Sequence, residues 1–121
     1  MAKSLGQIQS RKQERRIVKS LKEIGLQARQ QMASGAMWFA KSDVISDMFQ
    51  IEAKTKAKPS KSITLKSEWF DKIHQEALMV NKIPALVFSF GDNVDYFVLR
   101  DRDFLEIVEE LLALRELETK V

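Results

Sequence analysis

Apolar and polar residues recur along this chain with two periods, and the switches between them divide it into helices and strands. Helical spacing of Ile17, Val18, Leu21 and Ile24 predicts a helix from Ser10, read as its N-cap, to a C-terminal signal at Gly25. Residues 1–9 ahead of it are polar and read as a flexible tail. Alternation then predicts a strand over Leu26–Met32, and the small residues from Ala33 to Ala36 open a mobile loop that runs to Lys41. Two short strands around a turn follow, in KSDVISDMFQIEAK from Lys41 to Lys54. Beyond them TKAKPSK turns around Pro59, and Ser62–Leu65 is extended. Ser67 caps a helix running to Asn81, with Trp69, Ile73, Ala77 and Val80 as its buried stripe. The apolar run from Pro84 to Phe90 predicts a strand buried on both faces; Gly91-Asp92-Asn93 turns it, and Val94–Arg100 returns. Asp101 begins a last helix that offers Phe104, Leu105, Val108, Leu111, Leu112 and Leu117 for burial. That exceeds what one side of a small sheet needs, so part of it is expected at a subunit interface. The order predicts an α/β fold, a mixed sheet flanked by helices.

The Lys41–Lys54 hairpin carries the candidate chemistry. A turn centred on Asp47 and Met48 pairs Ser46 with Phe49, Ile45 with Gln50, Val44 with Ile51 and Asp43 with Glu52. Opposed positions lie roughly 5 Å apart at Cβ, so the two carboxylates repel unless a cation, most simply a divalent metal ion, sits between them. Lys54, two residues after Glu52, shares their face, while Val44, Phe49, Ile51 and Ala53 form the other. A slip of one residue would separate this cluster. Glu14 lies on or beside the apolar stripe of the first helix, where a carboxylate either pairs with a base at the core edge or lines a site.

Composition narrows the possibilities. The 121 residues, 45% hydrophobic, suit a single domain. No apolar run is long enough to span a membrane and no signal peptide is recognisable, so a cytoplasmic, intracellular protein is the expectation. With no cysteine and one histidine, a metal site would be built from oxygen ligands, which favours magnesium or manganese. His74 sits beside its helix's stripe and reads as a boundary residue. Charge is segregated: residues 1–66 hold 14 Lys/Arg and 5 Asp/Glu, and residues 67–121 hold 6 and 12. A basic surface around an acidic centre suits a polyanionic substrate; the alternative is a solvated surface with no such role. Arg11, Lys12, Arg15, Arg16, Lys19 and Lys22 surround Glu14, and Lys56, Lys58 and Lys61 form either a solvated turn or a hold on phosphates. Ser34 is either a loop former or a hydroxyl that meets phosphate, and Trp38 and Phe39 are packing anchors or base-stacking platforms.

Glu14 on a helix, Asp43 opening a strand and Glu52-Ala53-Lys54 on the next resemble the PD-(D/E)xK nuclease core. Within that superfamily the chain resembles the archaeal-type Holliday junction resolvases, including versions carried by phages. The short length, the Ala33-Ser34-Gly35 loop and the segment KSITLKSEWFDKIHQEAL leading into IPALVFSF add to the likeness, which covers roughly residues 10–100. Ser42 stands where the superfamily name has proline, a position that often differs in such enzymes. The resemblance implies a restriction-endonuclease-like core and a homodimer that nicks a four-way DNA junction symmetrically, in the host cytoplasm if the chain is phage-encoded. It implies magnesium on Asp43, Glu52 and the Ala53 carbonyl, with Glu14 completing the shell directly or through water. Lys54 would position or deprotonate the attacking water, Ser34 would lie near the scissile phosphate, and Arg29 would contact the backbone. Arg11, Lys12, Arg15, Lys56, Lys58 and Lys61 are the further DNA-binding candidates, and no small-molecule cofactor is expected. Two other readings stand beside it: a PD-(D/E)xK nuclease acting on linear duplex or recombination intermediates, and a noncatalytic DNA-binding protein.

Overall fold

A computed structural model describes residues 2–31 and 42–120. The elements run α1 (Leu5–Glu23), β1 (Ala28–Gln30), β2 (Val44–Ser46), β3 (Phe49–Thr55), α2 (Ser67–Met79), β4 (Ile83–Ser89), β5 (Tyr96–Val98) and α3 (Asp101–Thr119). That is the predicted order. The loop with Ser34, Trp38 and Phe39 lies outside the described residues.

Two helix starts differ from expectation. Helix α1 begins at Leu5, because Ser4 and Gln7 form a reciprocal capping box that satisfies two orphan N–H groups. Residues 5–9, read as part of a tail, are thus its first turns, and Ser10 lies inside it. Helix α2 starts at Ser67 itself; its N-cap is Lys66, without a side-chain cap, so Ser67 is not the cap.

The five strands lie in sequence order, β1-β2-β3-β4-β5. All neighbours are antiparallel except β3 and β4, which are parallel and joined through α2. A parallel pair needs such a crossover, since a tight turn cannot reverse the chain twice. Period-two alternation gives each face its helix. Val44, Ile51, Ala85 and Val87 meet Ile17 and Leu21 of α1 in one core, with Phe49, Ala53 and Leu99 at its margin. Glu52 and Leu86, partners in the ladder, point to the other face, which Ile73 and Ala77 of α2 cover. Strand β4 is buried from Pro84 to Val87, as its apolar run predicts.

Val80, expected in the stripe of α2, is 37% exposed, because the helix ends at Met79 and the chain turns through Asn81 at positive φ. The apolar face of α3 is also uncovered. Phe104, Leu105, Leu111, Leu112 and Leu117 are exposed and Val108 is half-buried; among the α3 residues only Asp103 is buried. The physical reason is that β5, three residues long, ends the sheet and offers α3 little to pack against. Among the described residues no helix is long and apolar enough to cross a membrane.

Candidate active site

The hairpin closes without glycine. Ser46 Oγ accepts the N–H groups of Met48 (3.1 Å) and Phe49 (2.7 Å), so a side chain supplies what a positive-φ turn would otherwise need. The ladder pairs Val44 with Ile51 and Ile45 with Gln50, the register that alternation predicts.

It stops one residue short of the acids. The N–H of Asp43 donates to the Ile51 carbonyl (2.9 Å), while its own carbonyl accepts from Gln31 N–H (3.0 Å). In a regular strand both groups of one residue face the same neighbour; at Asp43 they face β3 and β1 respectively, so the backbone is bent there. The expected Asp43–Glu52 pair is therefore not a ladder pair. The Asp43 carboxylate takes over instead, and its Oδ2 accepts the Ala53 N–H at 2.8 Å. Because β3 is regular at Ala53, the Ala53 carbonyl points to the same edge as its N–H, the edge where Asp43 stands.

Glu52 is buried and crowded. Its side chain is 5% exposed, with Lys72 Nζ 3.2 and 3.3 Å from its two oxygens and Lys54 Nζ 3.7 Å from Oε2. Burial first, and the charge of Asp43 second, push its pKa up to about 7, with the lysines pulling only partway back. Burial acts to lower the Lys72 pKa, but the Glu52 carboxylate more than offsets it and the net shift is upward. Lys54 also lies over the Trp69 ring, 4.4 Å from the centroid, so its ammonium is held between an aromatic face and a carboxylate.

Helix α1 delivers the third carboxylate. Glu14 is half-buried, and its Oε1 accepts from Gln30 Nε2 of β1 at 3.2 Å. Burial and then the charge of Asp43 raise its pKa, against the Gln30 hydrogen bond and the nearby Arg11 and Arg15. The preceding residue, Gln13, is fully buried. Its Nε2 donates to the Lys54 carbonyl (2.9 Å) and lies within reach of the Val87 carbonyl and Asp95 Oδ1. Asp95 also pairs with Arg16 at 2.8 Å, which ties the next turn of α1 to the chain entering β5.

Three partners were not foreseen: Lys72, Glu76 and Gln13. Lys72 and Glu76 are one turn apart on the line flanking Ile73 and Ala77, and a buried position for Glu76 beside that stripe was the available signal. Glu76 Oε2 accepts from Ser42 Oγ at 2.6 Å, with both residues buried. Gln13 gave no signal, since a glutamine on a helix is ordinarily solvated.

The basic candidates are spread over α1, β1 and the loop after β3, and Arg29 lies at the turn end of the hairpin beside Ser46 and Asp47. Arg11 is half-buried, Lys12 and Arg15 are exposed, and Arg29 is exposed and donates to Gln31 Oε1. Lys56, Lys58 and Lys61 lie on a loop docked to the end of β4 by Lys56 N–H to the Ser89 carbonyl (3.2 Å) and Ser60 N–H to the Phe90 carbonyl (2.9 Å). His74 faces Arg100 through Nε2 at 3.1 Å.

As they stand, no three acid or histidine side chains among the described residues are close enough together to hold a metal ion. The donor set nonetheless fits a hard divalent cation. The charge of Asp43 acts on both Glu14 and Glu52, so the three carboxylates repel one another across a set of oxygen donors, and an ammonium already occupies Glu52.

No family model matches the chain and no curated protein is similar to it in sequence. Among solved structures it is similar to that of Hjc from Archaeoglobus fulgidus, a Holliday junction resolvase from an archaeal hyperthermophile, with a TM-score of 0.60 at 15% identity over 74% of this chain and 75% of that one. The mixed five-stranded sheet with its flanking helices is thus a restriction-endonuclease-like α/β fold.

Proposed function

We propose that this chain is a metal-dependent DNA endonuclease that resolves four-way junctions by paired phosphodiester hydrolysis. The observation that carries the reading is the gathering of Asp43, Glu52 and Lys54 at one end of the β2–β3 hairpin, with Glu14 brought near Asp43 by α1, on a fold similar to that of a Holliday junction resolvase.

Asp43, Glu52 and the Ala53 carbonyl would hold magnesium, or manganese in its place, with Glu14 completing the shell directly or through water. Such an ion supplies a water of lowered pKa and offsets charge growing on the phosphate. The chain's own residues do the rest. Lys54, steadied by Trp69 and Glu52, places an ammonium where it stabilises the nascent hydroxide. Arg11, Lys12 and Arg15 on α1, Arg29 on β1 and the Lys56–Lys61 loop bind backbone phosphates and set the DNA against the acids. Ser34, preceding the hairpin in sequence, contributes a hydroxyl near the scissile phosphate. The uncovered apolar face of α3 supports a homodimer, because contiguous exposed leucines mark an association surface. Two sites in one dimer suit two opposed strands.

The test is incubation of purified protein with an end-labelled four-way junction, with and without magnesium, beside Asp43→Asn and Lys54→Ala. Symmetric, magnesium-dependent nicks lost in both variants support the reading. Preferential cutting of linear duplex would move the activity to another nuclease of this fold, and binding without cleavage in any metal would leave a DNA-binding protein.

A further inference from the structure

Glu52 is flanked by two lysines from different elements, and they are not equivalent. Lys54 is fixed: its side chain is 32% exposed, and its ammonium is caught between Glu52 Oε2 and the Trp69 ring. Lys72 is closer to both oxygens, at 3.2 and 3.3 Å, yet its side chain is 45% exposed and only Glu52 holds it among the described residues. A lysine stem can swing its head into solvent without disturbing packing. The helix beneath it cannot move as easily, because Glu76, one turn along, is tied to buried Ser42.

We infer that Lys72 is an exchangeable counter-cation, which occupies Glu52 in the metal-free protein, yields it to the incoming divalent ion, and then carries its charge to the phosphodiester. The inference rests on the nuclease reading and deepens it. An ion bound to Glu52 must displace an ammonium that already spans both oxygens. The second role follows from the tether: an ammonium displaced from Glu52 stays on its α2 stem beside the site, and the anion that arrives there with the ion is the phosphodiester.

The test separates metal affinity from turnover. Calcium and magnesium are titrated calorimetrically into DNA-free parent, Lys72→Met, Lys72→Arg and Glu52→Gln, and junction cleavage is measured at saturating magnesium. Lys72→Met is expected to bind the ions roughly three- to tenfold more tightly, since it lacks the competitor. Its cleavage at saturation is expected to fall about a hundredfold, as when one charge-stabilising donor is lost, and Lys72→Arg to recover much of it. Lys72→Met with unchanged or weaker ion binding overturns the exchange, and unchanged cleavage at saturation overturns the phosphate role. Tight ion binding and cleavage that both vanish in Glu52→Gln keep the nuclease reading whatever Lys72 does. A parent that neither binds an ion nor cuts overturns both. Melting temperatures of the variants separate loss of function from loss of fold.

Discussion

Ser42 donates a 2.6 Å hydrogen bond to Glu76 across the layer between the hairpin and α2, and both side chains are buried. The serine immediately precedes Asp43, so this bond fixes the approach to the acid where a proline ring would otherwise restrict the backbone. Ser42→Ala leaves a buried carboxylate without its donor and is expected to cost about 1–3 kcal/mol. Urea denaturation measures that cost. A variant as stable as the parent would show that the bond anchors nothing.

The shifted acids give metal-free stability a defined pH dependence. Glu52 is raised from 4.5 to about 7, and Glu14 is raised as well. A carboxyl that holds its proton more tightly in the folded state contributes stability fully present below 4.5 and lost as pH rises through about 7. For Glu52 that loss is on the order of 3 kcal/mol. Lys72, raised by its partner, keeps its own contribution until strongly alkaline pH. Denaturation with a chelator at pH values on either side of this window is expected to show stability falling as pH rises, and Glu52→Gln to flatten the slope. A parent that gains stability over the same window contradicts the burial of this acid.

Gly91 lies at φ +89°, and a Cβ there would stand 2.7 Å from the Lys58 carbonyl oxygen and 3.1 Å from Pro59 N. Gly91→Ala therefore pushes on the backbone of the Lys56–Lys61 loop. It is expected to cost more than the roughly 1 kcal/mol of an unfavourable φ alone and to weaken junction binding most at low salt. Gly25→Ala is the control, since φ is +100° there and nothing lies within 4 Å. Equal effects of the two on junction affinity would mean that the lysine loop plays no part in it.

Leu111→Lys with Leu112→Lys places two charges on the exposed face of α3. Sedimentation of the parent is expected to give a dimer and that of the variant a monomer with unchanged helical content. A parent that sediments as a monomer at high concentration rules out this face as a self-association surface.

Much of the architecture was legible in the sequence because it rests on period. Val44, Ile51 and Ala53 alternate with Ile45, Gln50 and Glu52, and that alternation sets which side of the sheet each occupies. The order of elements followed from the same patterns. What stayed hidden depends on groups with no period. The bend at Asp43 comes from its N–H and carbonyl finding different strands, which the alternation of its neighbours does not encode. Lys72 is one of 20 basic residues, and nothing in its neighbours separates it from a solvated lysine until Glu52 is seen beneath it. Helix α3 showed its leucines in the sequence, but the amount of sheet available to cover them depends on β5 being only three residues long. The start of α1 was missed because Leu5 and Ile8 stand alone among polar residues and Gly6, while the signal lay in the Ser4–Gln7 pair.

The buried amide of Gln13 has a mechanical consequence. It grips the main chain of Lys54 from the opposite side of the sheet, and the next residue along its helix is Glu14. The acid from α1 and the lysine from β3 are thereby joined by one side-chain hydrogen bond and one peptide link. Spacing between these two groups is set by covalent chain and one amide, and not by the long side chains that a polyanion would first touch.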